Sequence, residues 1–375
     1  MQISKHHSWR GKSSPRTTIR GFSIIELLIG MVLGLLAIIA IFQIMSVWES
    51  RRRTITDGNS AQIAGEIANL ELERDLDQSG MGFGNVSAAT IGCSVAVHNA
   101  SLATADFSIR FSPVEIINGA NGAPDTINVL YGSSAFSNNI QKVESSSNTT
   151  KVLQYRAGFN MGDLVVVAGN SPVACTLFEV TDNTVNDAKT IGHGTASYTS
   201  FYTGASVTPL MNSATAGVAY TTGEIYNLGP NAQRTQWSIS SASVLTRINS
   251  LRDSTVSEVS EGVVDLQAQY GVDGSDGSAP NGHIEASEWT NTTPTDWSKL
   301  LAVRVAVLAR SSQLEKDTVT VNAPAWAGNS IPFVMHNLDG STGSTSVIAN
   351  DWHHYRYRVY ESTVPMRNMI WGSTS

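Results

Sequence analysis

The chain has 375 residues, 24 of them basic and 31 acidic, for a formal charge of −7, and only 15% of its side chains are charged. A net-negative protein of this kind is not expected to bind nucleic acid non-specifically, because phosphate contacts need clustered lysine and arginine. The length allows one large core or two smaller ones.

The first 21 residues carry Lys5, Arg10, Lys12, Arg16 and Arg20 and no acid. From Phe22 to Trp48 the sequence is apolar, broken mainly by Glu26 and Gln43. As a helix this run crosses a hydrocarbon core of about 30 Å. The basic leader predicts a cytoplasmic N-terminus and a chain that continues outward, a bias that Arg51, Arg52 and Arg53 weaken without matching. A cleaved secretory signal has a shorter apolar region with a small-residue site after it, whereas here the attractive cleavage point, Gly21, lies before the run.

Glu26 is the odd residue, since a carboxylate inside a bilayer costs several kcal/mol and calls for a partner. Cleavage after Gly21 frees an amine on Phe22, one helical turn from Glu26 and on the same face. In a staggered bundle of such helices the carboxylate of one meets the amine of the next, which sets registry. Gly30 and Gly34 permit close approach.

The segment GFSIIELLIGM at 21–31 resembles the processing and N-methylation motif of type IV pilins and type II secretion pseudopilins. The resemblance implies that an inner-membrane prepilin peptidase cuts between Gly21 and Phe22 and methylates Phe22, with Glu26 serving methylation and registry. It also implies an α+β pilin-like fold, in which a long N-terminal helix, transmembrane in its first half, packs on an antiparallel β-rich domain. The expected divisions are a cleaved leader at 1–21, a membrane and filament-core helix at 22–48, a periplasmic helix half at 49–80 and a globular domain at 81–375. Loss of the leader leaves 19 basic and 31 acidic residues, a net −12.

Past the membrane run, Ile55, Ile63, Ile67, Leu70 and Leu76 recur at mostly three- and four-residue steps and predict a helix to about Ser79 with that stripe buried. Glu71, Glu73, Arg74, Asp75 and Asp77 read as its solvated side, and Asp57, Gly58 and Asn59 predict a kink or a fresh N-cap. Beyond Gly80 short β-branched runs take over. Strands are expected at 126–131, 152–156, 163–168, 176–180, 233–238, 263–270, 300–310 and 355–361. None alternates with a long helix, which favours an antiparallel arrangement. Stretches rich in Ser, Asn, Thr and Gly near 133–150 and 338–346 read as surface loops. Cys93 and Cys175 are expected to pair in an oxidising periplasm.

In the last third, EGVVDLQAQYGVDGSDG at 261–277, LLAVRVAVLARSS at 300–312 and YRYRVYESTVPMRN at 355–368 appear in order. Together they resemble the PilW-type minor pilin, a relative of the J-type pseudopilin of type II secretion. That resemblance implies a role in priming pilus assembly at a tip complex. Its implied partners are other minor pilins, the major pilin, an inner-membrane assembly platform and a tip adhesin. The middle, 90–255, carries no such signature.

Asp273, Asp276, Asn281 and Glu285 gather hard oxygen ligands on a Gly-rich loop, a Ca²⁺ candidate whose spacing does not fit an EF-hand. His353 and His354 are adjacent, so on a strand they point to opposite faces, and His98, His193, His283 and His336 sit in polar surroundings without ligand spacing. Nucleophile-elbow, phosphate-loop and H-E-x-x-H patterns are missing, so no enzyme activity and no other cofactor are expected. A J-type pseudopilin and a filament-borne ligand-binding module, fed by some of the eight tryptophans and ten tyrosines, stand as alternatives.

Overall fold

A computed structural model describes residues 21, 23–134, 140–170, 173–182, 188–213, 218–328, 333–342 and 347–372. The leader before Gly21 and Phe22 lie outside the described residues. Two compact units are present, residues 1–55 and 56–375.

The first unit is helical. Helix α1 spans Ile24–Asp77, and its segment Ile24–Glu49 is 26 residues long, apolar and unburied. At 1.5 Å per residue this segment is about 39 Å long, enough to cross a bilayer as a single-pass anchor. Helical structure continues through Asp57, Gly58 and Asn59, so the fresh N-cap that the sequence allows does not occur. One glycine costs a helix only about 1 kcal/mol, and propagation from formed turns on both sides outweighs it.

The second unit holds the end of α1 and a β-rich domain. In chain order its strands begin with β1 (Ser94–His98), β2 (Asp106–Arg110), β3 (Val114–Ile117), β4 (Thr126–Tyr131), β5 (Gln141–Ser146) and β6 (Thr150–Leu153). Next come β7 (Leu164–Asn170), β8 (Val173–Glu179), β9 (Thr190–Gly192), β10 (Tyr198–Thr199), β11 (Ser206–Val207) and β12 (Gly223–Gly229). The last third supplies β13 (Gln233–Ile239), β14 (Val244–Asn249), β15 (Ser257–Glu261), β16 (Val263–Val272), β17 (Trp289–Thr290), β18 (Leu300–Arg310) and β19 (Tyr357–Pro365), and a short helix α2 (Arg367–Gly372) follows.

These strands form an eight-stranded sheet ordered β2-β1-β8-β7-β12-β5-β6-β9, a five-stranded sheet β15-β14-β13-β4-β3, a four-stranded sheet β17-β16-β18-β19 and the hairpin β10-β11. Pairing among the described strands is antiparallel except between β1 and β8. The architecture is therefore α+β with an antiparallel β-rich domain, as the sequence predicts.

Strand β18 shows why the periodicity weakens at the centre. Val303, Val305 and Val307 enter the main core with Leu72, Leu76 and Trp237, while Ala306 and Leu308 enter a second cluster with Trp326, Phe333 and Trp352. A strand covered on both faces loses its polar alternation and reads as a continuous apolar run.

Three local expectations need correction. The 133–150 stretch is not all surface loop, because Gln141–Ser146 is β5, with Val143 buried between polar neighbours. The strand expected at 152–156 lies earlier, as β6. His353 and His354 sit in a 3-10 turn, where Asp351 caps the backbone N–H of His353 at 3.0 Å and so stops an extended run before β19.

Candidate functional site

Glu26 lies in the first turn of α1 and is exposed. Around it Ile25, Leu27, Leu28 and Ile29 are also exposed, and a Cβ added at Gly30 or Gly34 would meet nothing within 4 Å. A run of apolar side chains with no intramolecular cover is a surface for lipid or for neighbouring helices.

Within the second unit the helix presents an unexpected face to the sheets. Ala61, Gly65, Ala68, Leu72 and Leu76 are buried, whereas Ile63, Ile67 and Leu70 are 58%, 44% and 64% exposed. The buried stripe is thus offset from the one the apolar spacing predicts, and among the described side chains, which do not include Ile55, only Leu76 belongs to both. The physical reason is proximity. The Tyr360 ring of β19 packs so closely on the helix that a Cβ at Gly65 would lie 2.1 Å from its Cε2, a position where isoleucine has no room.

Asp75, expected in solvent, is 6% exposed. Its carboxylate accepts from Tyr131 of β4 at 2.9 Å and from the Trp237 indole of β13 at 2.7 Å. Burial raises its pKa, and those hydrogen bonds pull the other way. Asn69 donates to Ser362 of β19 at 2.8 Å, Ser362 donates to Glu73 at 3.2 Å, and Ser260 donates to the Ala64 carbonyl at 2.8 Å. Polar bonds of this number fix the rotation of the helix on its cradle, which apolar contact alone leaves loose.

Cys93, just before β1, is bonded to Cys175 on β8, as the sequence predicts. The candidate calcium ligands make hydrogen bonds within their own loop. Asp273 accepts from the backbone N–H of Asn281 at 3.0 Å and of Gly282 at 2.7 Å, and Asp276 accepts from Ser278 N–H and from the Ser287 hydroxyl. Asn281 donates to Glu285 at 2.9 Å. Among the described residues no three His, Cys, Asp or Glu side chains converge as a metal cluster. His193 lies in the loop just after β9 but is buried, stacked on Phe178 with ring centroids 4.0 Å apart. Among the described residues of the middle region, Tyr155, Phe201 and Tyr202 are the most exposed rings, the last two meeting edge to face at 5.3 Å.

The family described as type IV pilus-assembly protein W matches residues 231–368. This match supports a type IV pilus-related protein involved in pilus assembly. It begins inside 90–255, the region without a motif of its own. It also takes in β13 and β19, whose Trp237, Tyr360 and Ser362 hold the helix. No curated protein and no solved structure matches the chain.

Proposed function

We propose that this chain is a PilW-like minor pilin that primes type IV pilus assembly in a tip complex. The observation that carries the proposal is the 26-residue unburied apolar segment of α1 with one carboxylate, Glu26, in its first turn. The family match over 231–368 adds independent support from the other end of the chain.

In this reading the leader keeps the N-terminus cytoplasmic, and prepilin peptidase cuts between Gly21 and Phe22 and methylates Phe22. The subunit waits in the inner membrane with its β-domain in the periplasm until the assembly platform extracts it. Its helix then exchanges lipid for helices of other minor pilins and the major pilin. That exchange is nearly neutral for apolar surface, so specificity falls to close contacts at Gly30 and Gly34, to Glu26 against the neighbouring amine and to domain edges, one of which carries the tip adhesin. The chain itself makes and breaks no covalent bond.

The test is deletion of the gene and counting of surface pili, with complementation by wild type and by Glu26→Ala. Wild type is expected to restore pili, while Glu26→Ala is inserted and cleaved yet leaves pili near the deletion level. Normal pili in the deletion strain, with a defect in protein secretion, would move the chain to the J-type pseudopilins.

A further inference from the structure

The eight-stranded sheet holds a cavity of about 360 Å³ with a lysine in its wall. Lys151 of β6 is 1% exposed. Its Nζ donates to the Ser147 carbonyl at 2.7 Å, to His193 Nε2 at 2.9 Å and to the Val218 carbonyl at 3.2 Å. All three acceptors are neutral groups, for burial and the adjacent ammonium hold His193 far below its ordinary value, at about 3. Among the described residues no carboxylate pairs with Lys151. Burial pulls the Lys151 pKa down to about 8, so the ammonium is still mostly charged near neutral pH, and a buried charge held only by dipoles is costly without a counter-ion.

The remaining walls are mainly apolar. Phe178 and Tyr220 place their ring centroids 5.6 Å from Nζ, Val97, Leu177, Met211 and Val218 add apolar surface, and Thr176, Asn212 and Ser213 are polar members of the wall. At the mouth stand Ala96 and Ser108, cross-strand partners on β1 and β2 that are both exposed. The rim carboxylate of Asp106 is engaged by His98 at 2.8 Å. The volume lies at the small end of ligand sites, which run from about 300 to 1,000 Å³.

From these observations we propose that the cavity binds a small carboxylate with an apolar body of about one ring, its carboxylate accepting from Lys151 and its body lying against Phe178, Tyr220 and Leu177. The ligand oxygen replaces the Val218 carbonyl, the longest of the three contacts. His193 Nε2 stays an acceptor to the ammonium and keeps Nζ aimed at the cavity. The site is a binding site only, and it lies outside the family-matched residues 231–368, so it is separate from the pilus-assembly reading.

The test titrates 4-fluorobenzoate into the full chain in detergent and follows ¹⁹F line broadening, with 4-fluorobenzyl alcohol as the neutral isostere and unlabelled benzoate as competitor. Wild type is expected to broaden the acid saturably and reversibly and to spare the alcohol. Lys151→Met should bind the acid at least roughly tenfold more weakly, the usual scale for loss of a charge-assisted bond. It should melt at the same or a higher temperature than wild type, because it removes a buried charge. Ser108→Trp, at an exposed position, plugs the mouth without touching the ammonium and decides the matter if Lys151→Met does not fold. No competed broadening by wild type, equal broadening of acid and alcohol, or full binding by Ser108→Trp would each overturn the site.

Discussion

Buried ionisable residues in the β-domain are held by local hydrogen bonds, and several titrate away from their ordinary values. Asp265 on β16 is 3% exposed and accepts from the Leu266 N–H at 2.7 Å and from Gln267 at 2.9 Å. Burial pushes its pKa up to about 7, with nearby Asp125 adding to the rise and the two hydrogen bonds opposing it. A carboxyl raised in the folded state contributes stability that is whole below its ordinary value of 3.8 and is lost as pH climbs through about 7. Asp265→Asn is therefore expected to flatten the fall in melting temperature between those limits, and calorimetry across that range reads it directly. An identical slope in the variant would show that other groups set the dependence. Little of this is visible in the sequence, where Asp75, Asp265 and Lys151 look like ordinary solvated charges until their neighbours are known.

At the scale of elements, the seating of α1 on the sheets separates its two apolar stripes. Ala68 is 0% exposed and Ile67 is 44% exposed, although they are adjacent. Ala68→Asp should destabilise the domain by about 3–5 kcal/mol, since it buries an unpaired charge. Ile67→Asp should stay within about 0.5 kcal/mol of wild type in denaturant unfolding. If Ile67→Asp proved the costlier change, the observed rotation of the helix would be wrong. The helix and the strands β4, β13, β16 and β18 are legible from periodicity, but the buried side of the helix is not. Hydrophobicity points to Ile63, Ile67 and Leu70, whereas the Tyr360 ring selects a small residue at Gly65, and Ala68 is buried beside it on the same face. A tight interface of that sort leaves a weak apolar signal and strands the larger side chains outside.

At the scale of the whole molecule, the Cys93–Cys175 bond joins positions 82 residues apart and sits beside the parallel β1–β8 pair. It ties the segment after the helix to the eight-stranded sheet. Replacing both cysteines by serine is expected to cost about 4 kcal/mol in the chain-entropy picture, read as a drop in the denaturation midpoint of the oxidised protein. A midpoint unchanged by the double substitution, or by reductant in wild type, would remove the bond as a support of the fold.

The sequence by itself determined the membrane-length helix with Glu26 in its first turn, the α+β class, the pairing of Cys93 with Cys175 and the pilus-related character of the last third, because each is written in local composition, short spacing or a contiguous motif. Tertiary structure alone decided which side of α1 faces the sheets, that Asp75 is held by Trp237 and Tyr131, that the candidate calcium ligands bond to their own loop, and that Lys151 and His193 meet in an apolar cavity. Those four outcomes depend on contacts between residues far apart in the chain or on the course of a loop, and burial there overrides what hydropathy and spacing alone would assign.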